Sequence, residues 1–235
     1  KRFSFNQATA NRWPMADLVA GCRAAGVSQV GLWREQVAEY GLAATAKLVR
    51  DAGLTVTSLC RGGFFSADNW YEDNRRALDE AAALGAPALV LVSGGLPAGS
   101  RDLDAARRHV GEALGDLVPH AIETGVRLAI EPLHPMFCSD RCVVSSLGQA
   151  LDLAAPYPAE AVGVVVDTYH LWWDDQVWTQ IARAGEQQRI ACFQVADWIT
   201  PLPAGVLLGR GLPGTGCVDF RRFRAAVDAT GYTGP

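Results

Sequence analysis

Read from its amino terminus, the chain repeats one pattern: a stretch with apolar positions at helical period, a glycine, then a short apolar run of strand length. The glycines close AAG at Gly26, DAG at Gly53, ALG at Gly85, ETG at Gly125, RAG at Gly185 and ATG at Gly231. A glycine just past a helix end can take the left-handed conformation that satisfies the last carbonyls, so all six are expected at helix C′ positions. Strands are expected after five of them, at residues 27–32, 54–59, 88–92, 126–130 and 190–195, with two more at 3–6 and 162–166. Pro14 reads as a residue of a first helical turn and Asp219 as the N-cap of FRRFRAAVDA.

Strand and helix therefore alternate throughout. Runs such as ALVLV, GVVV and RLAI are apolar on both faces, as parallel strands covered by helices require. A doubly wound sheet and a (β/α)8 barrel both meet that condition. Counting favours the α/β class in its barrel form, a (β/α)8 TIM barrel built as one domain over residues 1–235. Seven strands are visible and the glycine at 231 announces an eighth. Because the chain opens on Lys1 without a methionine and ends on Thr-Gly-Pro, that eighth strand is expected beyond Pro235, leaving the domain C-terminally incomplete.

Charge narrows the partners. With 21 Lys and Arg against 25 Asp and Glu, a net charge of −4 and no basic run, neither nucleic acid nor an anionic membrane surface is expected as a partner. No apolar run approaches the ~20 residues of a membrane helix. Six cysteines without a C-x-x-C read as thiols in a reducing cytosol, so a cytoplasmic protein is expected. A small-molecule partner follows, and a homo-oligomer is compatible with it.

In such a barrel the first polar residue after each apolar run faces the C-terminal mouth, where chemistry sits. LAIEPLH puts Glu131 there, VVVDTYHLWWD puts Asp167, and CFQVADW puts Gln194. A carboxylate directly after a run of apolar residues is desolvated unless a cation or hydrogen bonds receive it. Strand-end acids also cap loops, but two on adjacent strands, each followed three residues later by a histidine (His134, His170), favour a ligand pair. Donors that are mostly oxygen favour Mn²⁺ or Mg²⁺, with Co²⁺ or Zn²⁺ as alternatives. Trp172, Trp173, Trp178 and Trp198 gather around the same strand ends, as a wall for a sugar ring or as lid packing. GRGLPG matches G-x-G-x-x-G in form, but no strand precedes it and Pro213 interrupts it. It reads as a flexible loop carrying Arg210 towards an anionic or hydroxylated substrate. His109 and His120 lie in a long helical stretch and read as solvated or locally satisfied.

Taken as a set, RFSFNQAT, IEPLH, DTYHLWWD, FQVADW, RGLPGTGCVDF and GYTGP resemble the sugar phosphate isomerase/epimerase superfamily. These are xylose isomerase-like TIM barrels that include tagatose epimerases, hydroxypyruvate isomerase, inosose dehydratase and endonuclease IV. The resemblance implies Glu131 as a metal ligand and catalytic acid/base, Asp167 as a second ligand, and His170 and Arg210 as contacts to substrate oxygens. His134 and Trp173 join the substrate-binding set by position. It further implies a ligating histidine where Gln194 stands and a glutamate on the eighth strand, and the sequence departs from both. The activity implied is that of a divalent-metal-dependent isomerase or epimerase of a small sugar, ketose or cyclitol, with or without a phosphate, acting through an enediolate. A dehydratase of inosose or dehydroshikimate type is the enzyme alternative, since the same enediolate can expel a β-hydroxyl. A barrel that binds without catalysis is the other, favoured by Gln194. Endonuclease-type cleavage fits poorly with four histidines and a net charge of −4.

Overall fold

A computed structural model describes residues 2–235. Seven parallel strands run in sequence order around a curled sheet. They are β1 (Phe5–Asn6), β2 (Gln29–Trp33), β3 (Thr55–Gly63), β4 (Ala88–Val92), β5 (Arg127–Ile130), β6 (Val162–Asp167) and β7 (Ile190–Gln194). Helix α1 (Met15–Ala24) follows β1, α2 (Arg34–Tyr40) and α3 (Leu42–Asp51) follow β2, and α4 (Trp70–Leu84) follows β3. Then come α5 (Leu103–Thr124), α6 (Leu147–Ala154), the single turn α7 (Thr168–Leu171), α8 (Val177–Glu186) and α9 (Phe220–Ala229). Two-residue strands β8 (Asp197–Trp198) and β9 (Arg210–Gly211) pair antiparallel as a clip above β7.

The sheet stops one strand short of a closed (β/α)8 barrel, with β1 and β7 as its edges. Between the starts of those edges lies the segment after α9: Arg2 donates to the carbonyls of Tyr232 (2.8 Å) and Gly234 (2.9 Å), and the Tyr232 hydroxyl donates to Ala191 of β7 (3.4 Å). Large aliphatic side chains pack between sheet and helices. The interior holds a second, smaller layer of Cys60, Ala88, Val90, Ala129, Val165 and Cys192. All six cysteines are free. Among the described residues no helix is long and apolar enough to cross a membrane.

Five of the six expected C′ glycines have positive φ, between 66° and 78°. Gly185 does not, because α8 runs on through Glu186 and the left-handed residue is Gln188 (φ 54°). The reason for Gly185 is packing: a Cβ there would lie 2.4 Å from Cβ of Thr230, just past α9. Pro14 occupies the N-cap of α1, one residue ahead of its first turn. Asp219 caps α9 as expected, its Oδ1 accepting from the Arg222 backbone N–H at 3.0 Å. β3 overruns its expected end by four residues (Gly63 against 59) because Gly62 and Gly63 let it press against β4, where a Cβ on Gly63 would meet the Val92 carbonyl oxygen at 1.9 Å. The Asn74 side chain takes up the Gly63 N–H and carbonyl, at 2.6 and 2.8 Å.

Candidate active site

Side chains alternate along a strand, so the residue two beyond each interior position is the next to face inward. Ala129 is followed by Glu131, Val165 by Asp167, and Cys192 by Gln194, which places all three at the C-terminal mouth above the small apolar layer. Asp167 and Gln194 are register partners across β6 and β7 and leave the sheet on the same face. Ligand atoms of Glu131, Asp167 and His170 lie within 4.8 Å of one another, and all three residues are buried.

Each member is fixed locally. Where β6 passes into α7, Asp167 is the N-cap: its Oδ1 accepts the Tyr169 N–H at 2.7 Å, leaving Oδ2 for the site. Thr168 ties α7 to the end of β7 through Ala196, donating to its carbonyl (2.9 Å) and accepting its N–H (3.1 Å). The Glu131 carboxylate accepts no hydrogen bond from protein among the described residues, and burial, reinforced by Asp167, pushes its carboxyl up to about 8. Burial also holds the His170 imidazole down at about 4, so the ring is neutral.

The His170 tautomer follows from its partners. Its Nδ1 faces the backbone N–H of His134 at 3.2 Å, a group that only donates, so the single ring proton belongs on Nε2. That nitrogen in turn faces Arg210 Nη2 at 3.2 Å. Two donors therefore oppose each other with no acceptor between them. Arg210 also reaches Asp167 Oδ2 at 3.4 Å and lies over the Tyr169 ring, 4.3 Å from its centroid.

The Arg210 segment is less free than its glycines imply. β9 pairs with β8, and the fully buried Asp197 accepts backbone N–H bonds from Gly214 (2.8 Å), Gly216 (2.8 Å), Trp198 (2.9 Å) and Val218 (3.2 Å). Burial opposes its charge, but those four donors hold its carboxyl below the ordinary range. Of the aromatic residues, Trp198 stacks on the His134 ring at 4.7 Å and touches Trp172, while Trp173 meets His134 edge-on at 5.7 Å. Trp178 is elsewhere: it packs on Phe223, with Arg222 over its ring, between α8 and α9. His134 is partly committed, its Nδ1 accepting the Met136 N–H at 3.3 Å. His109 and His120 lie on the outer helices, bonded to Phe65 and to Asp79 and Glu123.

These residues fit a divalent cation. Two buried carboxylates share one space, and among the described residues the Glu131 carboxylate has no protein donor and Gln194 ends its strand beside Asp167 with its amide unengaged. Since His170 Nδ1 must stay bare to accept from His134, its Nε2 serves better as a donor to a ligand oxygen than as a metal ligand.

The sequence profile of the family described as xylose isomerase-like TIM barrel matches residues 19–235. The chain belongs to that family. This xylose isomerase-like barrel superimposes with a TM-score of 0.96 on protein SMc04130 from Sinorhizobium meliloti 1021, at 45% identity over 100% of the chain and 87% of that protein. It matches the IOLI protein with a binding zinc atom at TM-score 0.78 and 19% identity, covering 99% of the chain and 86% of that one. It matches a D-psicose 3-epimerase, crystallised in the presence of D-fructose, at TM-score 0.78 and 17% identity, covering 100% and 83%. At those identities the last two show a shared fold. No curated protein sequence matches the barrel significantly.

Proposed function

We propose that this barrel, a single cytoplasmic domain over residues 1–235, is a divalent-metal-dependent isomerase or epimerase of a small sugar, ketose or cyclitol. The observation that carries the reading is the convergence of two buried carboxylates, that of Glu131 without a protein donor among the described residues, with two donors, His170 Nε2–H and Arg210 Nη2, that oppose each other with no acceptor between them. Glu131, Asp167 and the Gln194 amide oxygen would hold the cation, and their oxygen atoms favour Mn²⁺ or Mg²⁺, although one fold neighbour carries zinc. Bound there, it supplies a Lewis acid for charge developing on a substrate oxygen.

The protein's own part is proton transfer and orientation. Burial makes Glu131 a stronger base than a surface carboxylate, suited to removing a proton from the carbon next to a carbonyl. A substrate oxygen lying between His170 Nε2–H and the Arg210 guanidinium would accept from both, removing the opposition of donors and stabilising an enediolate. The Trp198–His134 stack and Trp173 offer flat faces to the C–H side of a ring. A fold neighbour that is an epimerase supports the same chemistry.

Metal analysis of protein purified without chelator, with turnover on a panel of ketoses and cyclitols, tests the proposal. Stoichiometric metal and turnover without change of substrate mass are expected. Glu131→Gln should lower kcat by roughly a thousandfold while leaving the fold intact by circular dichroism. Unchanged kcat in that variant would remove Glu131 from the chemistry, and a product lighter by one water would make the enzyme a dehydratase.

A further inference from the structure

Two arginines outside the site residues above stand at the same mouth. Arg61 follows the interior residue Cys60 on β3, at the register shift against β4. Its guanidinium lies 5.6 Å from the Trp33 ring centroid and 5.0 Å from that of Phe64. Its ion pair with Glu35, at 3.3 Å, is to an exposed carboxylate and worth little. Arg141 sits in the loop between β5 and α6. Its neighbour Cys142 bridges to Gly94 beyond β4, and the Cys142 thiol donates to the Glu131 carbonyl at 3.5 Å. Arg141 is half-buried, and its guanidinium has no hydrogen-bond or ion-pair partner among the described residues.

The charges act on one another. Glu131 is stabilised as an anion by Arg210, Arg61 and Arg141, in that order, and Arg141 is disfavoured first by burial and next by the charge of Arg61. The backbone brings the two segments together: a Cβ on Gly94 would lie 3.2 Å from Cα of Phe64, over whose ring Arg61 sits, and one on Gly95 would lie 2.5 Å from the carbonyl carbon of Asp140, next to Arg141. A divalent cation between the Glu131 and Asp167 carboxylates would widen the positive excess, which the exposed Glu35 and Asp140, both screened by water, offset only weakly. Two like charges on adjoining segments, one of them without a partner, repel each other in the empty fold. A neutral sugar leaves that repulsion in place. An anion spanning both guanidiniums relieves it and gains charge-assisted hydrogen bonds.

We propose that Arg61 and Arg141 form an anion-binding subsite beside Glu131, and that the substrate of this barrel carries an acidic group, a carboxylate or a phosphate. The inference rests on the isomerase reading for its place in a reaction, but the subsite stands on the arginines alone.

Calorimetric titration of the protein, as purified, with inorganic phosphate and with malonate at fixed ionic strength tests it. At least one anion should bind and raise the melting temperature. Arg141→Gln and Arg61→Gln should each weaken it by about tenfold, the loss expected for one charge-assisted contact, and Arg61→Lys should restore part of the affinity. Because the Arg141 guanidinium has no protein partner, Arg141→Gln should not lower the melting temperature, so its loss of binding cannot be a folding defect. Preference for phosphate marks a phosphorylated sugar, and preference for malonate marks a sugar acid. Absence of binding by both, or binding undiminished in both glutamine variants, overturns the subsite. Turnover of neutral and acidic sugars on the same samples separates the two proposals. Equal turnover of a neutral ketose by wild type and glutamine variants, without anion binding, sinks the subsite and leaves the isomerase. Arginine-dependent anion binding, with no turnover of any acidic or neutral sugar, does the reverse.

Discussion

At the scale of single residues, two carboxylates illustrate opposite uses of burial. Asp197 is surrounded by four backbone N–H donors, so its charge is satisfied by the loop it organises. Asp197→Ala leaves those donors buried without an acceptor, and a loss of about 2–4 kcal/mol in urea unfolding is expected, with faster proteolysis between residues 199 and 216. A loss under about 0.5 kcal/mol would show that the loop holds itself. Glu131 has no such donors, and its carboxyl is pushed up to about 8 in the folded protein. The folded state therefore binds this proton more tightly than the unfolded chain does, and the associated stability, complete at low pH, is lost as pH rises towards 8. His170, held at about 4, acts the other way, adding stability as pH rises, up to its ordinary value near 6.5. Between pH ~6.5 and ~8 only the Glu131 effect remains, so the metal-free protein should melt at progressively lower temperature across that interval. The slope should vanish in Glu131→Gln.

At the scale of elements, glycines show what a linear pattern conveys and what it hides. Gly53 and Gly185 look alike in DAG and RAG, but Gly53 is at φ 69° with open space around it while Gly185 lies inside α8 against Thr230. Gly53→Ala should cost about 1 kcal/mol from backbone strain alone. Gly185→Ala should cost more, about 1–3 kcal/mol, because Thr230 and the end of α9 must move. Equal losses in thermal unfolding would mean that α8 and α9 can separate freely. The barrel, its strand order and the inward Glu131 and Asp167 are legible in sequence because each rests on local periodicity and on the strand just before it. Arg61, Arg141 and Asp197 are not, because their significance depends on neighbours far along the chain, such as Trp33 for Arg61 and Gly214 for Asp197. Trp178 misleads for the same reason: Phe223 decides its place.

At the scale of the whole molecule, strong charges gather at one end of the barrel and small neutral side chains fill the middle. A cation binding only the folded protein should stabilise it by about 2.7 kcal/mol at a hundred times its dissociation constant. Mn²⁺ titrated against thermal unfolding should show that rise, and Asp167→Asn combined with Glu131→Gln should abolish it. Below the carboxylates lies a layer without a charged side chain: burial pushes the Cys192 thiol up to about 12, Cys60 is raised by burial too, and Ala88, Val90, Ala129 and Val165 complete it. Electrically the layer is an insulating floor. A hydrogen taken by Glu131 meets no proton carrier in that floor, and its ways out to bulk water lead past the Trp198–His134 stack and Arg210 or through the side between the edge strands β1 and β7. A tritium label at the abstracted carbon should therefore return in part to the product instead of washing out into solvent, and the retained share should fall when Trp198→Ala opens the first of these ways.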